Sequence, residues 1–178
     1  MLSGLMFSAA SRVSPLRRQF CRSFSSTIDH RLKELGITLP PPGAPKANYG
    51  MACLAQGNML YVSGHLPVRD DGSLVVGRLG DLSVEEGYEG ARLCGINMLS
   101  TVDDRVGLDK VKRVTKIFGI VNSTLDFEEQ HLVLNGCSDL MIEVFGKERG
   151  YHARSAIGTN TLPLGMAVEV EGIFELEE

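Results

Sequence analysis

Tryptophan is absent from this 178-residue chain and aromatic residues make up 6% of it. A platform of rings for stacking single-stranded nucleic acid would therefore have to be built from few side chains. No segment approaches the roughly 18 to 20 uninterrupted apolar residues that carry a helix across a bilayer. The longest candidate, Met1 to Ala10, is short and broken by two serines and a glycine. The four cysteines, Cys21, Cys53, Cys94 and Cys137, never form a C-x-x-C pair. That argues against a disulfide framework or a zinc site and for buried, reduced thiols. GxGxxG, P-loop, HExxH and GxSxG signatures are all missing, and His30, His65, His131 and His152 are scattered. No metal centre or cofactor site is expected. Acidic residues are missing from the first 28 positions, which hold Arg12, Arg17, Arg18 and Arg22. The remainder carries 14 basic and 22 acidic residues. An acidic body argues against binding to phosphate backbones, which clustered Lys and Arg dominate.

An apolar fraction of 43% belongs to a globular chain, and this length suits one domain. Residues 1–26 are rich in Arg and Ser with apolar residues at helical spacing, the composition of a mitochondrial transit peptide for the matrix. A secretory signal would put the positive charge before its apolar core; here the arginines follow it. Cleavage is expected between about Phe24 and Thr27, beside Arg22-Ser23-Phe24-Ser25. Residues 27–47 read as a short helix and a Pro-rich lead-in, and residues 48–178 as the folded domain.

Within that body, Gly57-Asn58 separates two short apolar runs and predicts a hairpin. Leu74 to Val76 is a further short strand after the Asp70-Asp71-Gly72 turn. Ser83-Val84-Glu85-Glu86 is a capping box, opening a helix to about Val106 that Gly107 stops. Val111 to Val121 reads as a strand entering the core, Phe127 to Phe145 as a second helix, and Ala153–Thr159 and Met166–Leu176 as strands. Gly172 interrupts the last and marks a bulge. The order β-β-(β)-α-β-α-β-β gives an α+β fold, a two-layer mixed sheet with two helices on one face. The other face needs cover, which a partner subunit would supply.

One charged residue stands out in apolar strand sequence. Arg154 lies between Tyr151-His152-Ala153 and Ser155-Ala156-Ile157, and burying it is costly unless its donors meet an anion. Fifteen residues on, Glu169 alternates with valines and shares a strand face with Glu171. Two readings of this pair stand side by side. Arg154 binds a carboxylate beside a Glu that orients water, or Arg154 and Glu169 form a structural ion pair. From spacing alone, the ion pair is the more common case.

The segments Gly57-Asn-Met-Leu-Tyr-Val-Ser-Gly64, His65-Leu-Pro67, Ala153-Arg-Ser155, Leu162-Pro163 and Val168-Glu-Val-Glu171 resemble the YjgF/RidA family, also called the endoribonuclease L-PSP group. The match runs from about Tyr49 to Phe174, and the spacing from Arg154 to Glu169 needs no gap. The resemblance implies a chorismate-mutase-like fold, a homotrimer with clefts between subunits, and no cofactor. It implies hydrolysis of reactive enamine/imine intermediates (2-aminoacrylate or 2-iminopropionate type) to 2-oxo acids and ammonia. Arg154 would hold the substrate carboxylate and Glu169 the attacking water, with Gly64 and Asn135 lining the cleft. Three positions depart from the family pattern. Its cysteine two residues after the Arg is Ala156 here, which removes thiol chemistry. A proline becomes His152, a candidate for the cleft wall. A tyrosine aligns with Gly50, so Tyr49, the other candidate, is displaced by one position, which reverses its face on a strand. Rival readings are a non-enzymatic carboxylate-binding module and an endoribonuclease; the acidic body weighs against the second.

Overall fold

Apolar residues alternate along Val168–Leu176 (β5), where Val168, Val170, Phe174 and Leu176 are buried while Glu169, Glu171 and Glu175 are not. That alternation fixes one strand with an apolar face and an open face. The structure is a computed structural model and describes residues 27–178; the expected transit peptide, with Cys21, lies outside the described residues. Around β5 stand Ala52–Ala55 (β1), Met59–His65 (β2), Val111–Asn122 (β3) and Ala153–Thr159 (β4), in the order β1-β2-β5-β3-β4. All neighbours are antiparallel except β3 and β4. A parallel pair needs a crossover, and here it runs through Gln130–Val133 (α3) and Asn135–Gly150 (α4).

The capping box forms at the start of Val84–Arg105 (α2). Ser83 Oγ accepts from the Glu86 amide at 3.2 Å, and the Ser83 amide donates to Glu86 Oε2 at 2.8 Å. Gly107, with φ +86°, follows the last turn. Both α2 and α4 lie on one face of the sheet. Met98, Leu99 and Val102 from α2 and Leu140, Met141 and Val144 from α4 meet Val114, Ile117, Val170 and Phe174 in one core. The helix Thr27–Glu34 (α1) adds Ile28 and Leu32 to that core, and Ser100 Oγ ties the Pro-rich lead-in down through the Pro40 carbonyl at 2.6 Å.

Several expectations need correction. Leu74 to Val76 forms isolated bridges from Leu74 to Val68 and from Val76 to Met166, not a strand. The second helix begins at Gln130 and is broken at Leu134. Gly146 (φ +77°) interrupts it after Phe145, the expected end, and a further helical turn follows to Gly150. Gly172 pairs with Val62 and Ile117, and the register of β2 shifts between Val62 and His65, next to the Gly172 pair. The irregularities sit in its partner strands, and a Cβ at Gly172 would lie 2.9 Å from Met98 Sδ. The expected bulge thus lies directly beside Gly172, with its extra residue on β2, and close helix packing adds a second reason for a glycine here. Cys94 and Cys137 are buried thiols, but Cys53 is exposed on the edge strand β1. No helix among the described residues is long and apolar enough to cross a membrane.

Candidate active site

Strand register decides where Arg154 points. It pairs with Ile117, which is fully buried beneath the helices. Paired residues on neighbouring strands share a face, so Arg154 turns toward α3 and α4. There Nη1 donates to Asn135 Oδ1 at 2.9 Å and to Ser138 Oγ at 3.1 Å, and Nη2 donates to the His131 carbonyl at 3.1 Å. A guanidinium has five donor hydrogens. Nε–H and the second Nη2 hydrogen have no partner among the described residues, and they are what an anion would meet.

Asn135 and Ser138 are three residues apart at the start of α4, so both project from one side. Gly136 between them lets α4 lie against the α2 backbone; a Cβ there would be 1.9 Å from the Tyr88 carbonyl oxygen. Beside the cluster, burial pushes the Cys137 thiol up to about 12 against the pull of Arg154, leaving it inert. His152 is half-buried, and both its nitrogens are engaged: Nε2 with Ser138 Oγ at 3.1 Å and Nδ1 with the Gly150 carbonyl at 2.6 Å.

Glu169 lies on the opposite face. Its register partner is Ile120, which also pairs with Ile157 across β3. Within one chain the ion pair between Arg154 and Glu169 is therefore impossible: the sheet stands between them. The Glu169 carboxyl lines a cavity of about 760 Å³ with Lys46, Tyr49, Ser63, Gly64 and Leu164. Burial, and then the neighbouring charge of Glu171, raises its proton affinity above the ordinary value. Gly64 leaves room for that carboxyl, because a Cβ there would be 1.8 Å from Glu169 Oε1. His65 holds this end of β2 through Nδ1 to the Ser63 carbonyl and Nε2 to Thr101 Oγ1, both at 2.7 Å. Tyr49 reaches the same cavity, its hydroxyl accepting from the Lys46 amide at 3.4 Å. Leu164 is left-handed (φ +59°) and largely exposed at the cavity wall. Such strain in a branched-chain residue concentrates at functional sites.

The sequence-predicted residues thus fall into two groups. Arg154, Asn135 and His152 come together on the helix side; Glu169, Gly64 and Tyr49 come together on the open side. Ser138 and Lys46 escaped the sequence reading, although the i, i+3 spacing of Asn135 and Ser138 was a usable signal. A wider groove of about 960 Å³ is lined by Asp70, Asp71, Glu85, Glu86 and Glu89 beside Arg69. Its acidic wall would repel a carboxylate, so it is not the candidate site. Among the described residues, no group of three or more His, Cys, Asp or Glu side chains is placed to hold a metal.

A five-stranded sheet of this order with helices on one face defines a two-layer α+β fold. The family profile described as "YjgF/chorismate mutase-like, putative endoribonuclease" matches residues 29–176. The chain belongs to this YjgF/RidA family. It is 46% identical to protein TCP17 of Trypanosoma cruzi over 85% of this chain and 96% of that one. Among solved structures it is similar to Atu1372 from Agrobacterium tumefaciens, a protein of unknown function, at 43% identity and a TM-score of 0.75, covering 84% of this chain and 94% of that one. A Shewanella oneidensis protein that carries the endoribonuclease name is 32% identical, with a TM-score of 0.80, covering 85% and 100%.

Proposed function

We propose that this protein hydrolyses reactive enamine/imine intermediates of the 2-aminoacrylate and 2-iminopropionate type to 2-oxo acids and ammonia. The observation that carries the reading is the state of Arg154, three of whose donors are spent on the protein while two meet no partner among the described residues and face a substrate carboxylate. A fixed fork matches a carboxylate bidentately.

The chemistry then needs little more than position and a base. In the protonated imine the carbon next to the carboxylate is already electrophilic. Glu169, made more basic by burial, takes a proton from water as the water oxygen bonds to that carbon. Glu169 returns that proton to the nitrogen of the resulting carbinolamine. The C–N bond then breaks as the hydroxyl oxygen forms the carbonyl and gives its proton back to Glu169. Ammonia and the 2-oxo acid are released, and Glu169 passes the proton on to solvent. Positioning supplies several kcal/mol of such a barrier, and a general base adds roughly 10² to 10⁴-fold.

Arg154 and Glu169 stand on opposite faces, so the site is completed by a second copy of the chain. The open face favours this, since Phe118, Ile120, Ile173, Tyr61 and Ile157 lie there with no helix of the described residues over them. A homotrimer is the assembly that the family suggests. A mitochondrial matrix address belongs to the same proposal and rests on the arginine-rich composition of residues 1–26; a fluorescent reporter carrying those residues tests it by its location.

The deciding experiment follows 2-iminopropionate hydrolysis in purified wild type and Arg154→Ala. The variant is expected to fold and to lose acceleration of this carboxylate substrate; full activity would overturn the assignment. A wild-type protein that binds 2-oxo acids without accelerating hydrolysis would make it the binding module instead.

A further inference from the structure

We propose that Ser138 and His152 are positioning residues for Arg154: the imidazole fixes which way the Ser138 hydroxyl points, and the hydroxyl fixes the guanidinium. The proposal rests on the reading of Arg154 as holder of the substrate carboxylate. The Gly150 carbonyl only accepts hydrogen bonds, so His152 Nδ1, 2.6 Å away, carries the hydrogen. In the neutral ring Nε2 is then an acceptor, and Ser138 Oγ at 3.1 Å must donate to it. With its one hydrogen committed there, Ser138 Oγ turns a lone pair to Arg154 Nη1, also at 3.1 Å. Asn135 Oδ1 takes the other Nη1 hydrogen and the His131 carbonyl one from Nη2. The guanidinium plane is thereby set, and so is the direction of its two remaining donors.

The chain of donors holds only while His152 is neutral. Burial keeps its proton affinity low, and the Arg154 charge adds to this against the hydrogen bond that Nδ1 donates to the Gly150 carbonyl. Other titratable groups on the elements that meet here are His131 on α3, Cys137 and Asp139 with Glu143, Lys147, Glu148 and Arg149 further along α4, and Tyr151 beside β4. Cys137 stays protonated, and Asp139 is exposed and accepts from Tyr88 on α2 at 3.0 Å. Among these, Arg154 is the charge that acts on the ring. Protonated His152 would present a hydrogen at Nε2. Ser138 Oγ would then face two donors, its own hydrogen would need a new acceptor, and its grip on Nη1 would change.

Two measurements on the full chain test this. In ligand-free ¹⁵N-labelled protein, the Arg154 Nε resonance is expected to shift with the midpoint of the His152 ring titration. That coupling should disappear in Ser138→Ala. An Arg154 resonance indifferent to His152, or coupling that survives Ser138→Ala, would overturn the proposal. Pyruvate affinity measured by calorimetry gives the second arm. Ser138→Ala and His152→Phe should each weaken binding roughly tenfold, the loss of about one hydrogen bond's worth of positioning. The double variant should be no weaker than either single, because both cut the same chain. Additive losses would mean two separate structural roles and would sink the idea. The resonance arm needs neither ligand nor turnover, so it stands or falls apart from the deaminase reading.

Discussion

Glu169 is a half-exposed acid in a valine strand, next but one to Glu171 on the same open face. Burial and that neighbour raise its pKa above the ordinary 4.5, so the folded protein holds the proton more tightly than the unfolded chain. A group of this sign costs stability once ionised, and the loss accumulates as pH rises from the ordinary value through the raised one. Glu169→Gln should therefore melt higher than wild type at pH 7 and show no such advantage at pH 4. Thermal unfolding at the two pH values checks this, and the same variant should lose the water-activating step. That Glu169 is unusual was legible, because a carboxylate between valines stands out in any strand. That it faces away from Arg154 was not, since facing depends on register with β3, which sequence spacing between the two residues does not contain.

At the scale of elements, the first turn of α4 matters most. Asn135 and Ser138 ride on it, and Gly136 lets it approach α2. A methyl at Gly136 would meet the Tyr88 carbonyl oxygen at 1.9 Å and the Arg92 amide nitrogen at 3.0 Å. Both are backbone atoms of α2, so one helix must move. Gly136→Ala should cost about 1–3 kcal/mol of stability by overpacking, and should also weaken pyruvate binding by displacing the partners of Arg154. Urea unfolding and calorimetry read the two effects. Helix ends set by local chemistry were legible here: the Ser83–Glu86 box and the Gly107 stop each involve neighbours in sequence. The break at Leu134 was not, because apolar residues continue through it. Gly119 supplies the tertiary reason for close packing there: a Cβ on it would be 2.5 Å from the Leu134 side chain.

For the whole molecule, opposite-facing site residues make a test that a self-contained site would fail. If Arg154 of one copy works with Glu169 of another, Arg154→Ala and Glu169→Gln chains are each inactive alone. Refolded together at equal amounts, they should recover about a quarter of wild-type activity, since random assembly in a closed ring joins an intact Arg to an intact Glu in about one interface of four. No recovery in mixed oligomers would show that both groups act within one chain, against the register of the sheet.

What the sequence by itself determined was local or ungapped: the hairpin at Gly57-Asn58, the capped helix, the alternation of β5, and the family spacing from Arg154 to Glu169. Each depends on residues close along the chain, where backbone preference and side-chain period act directly. The tertiary structure decided the rest. It ordered the strands β1-β2-β5-β3-β4, turned Arg154 under the helices and Glu169 away from them, and brought Ser138 and His152 together behind the guanidinium. Those outcomes are set by pairings between strands and helices distant in sequence, where a shift of one residue reverses every side chain.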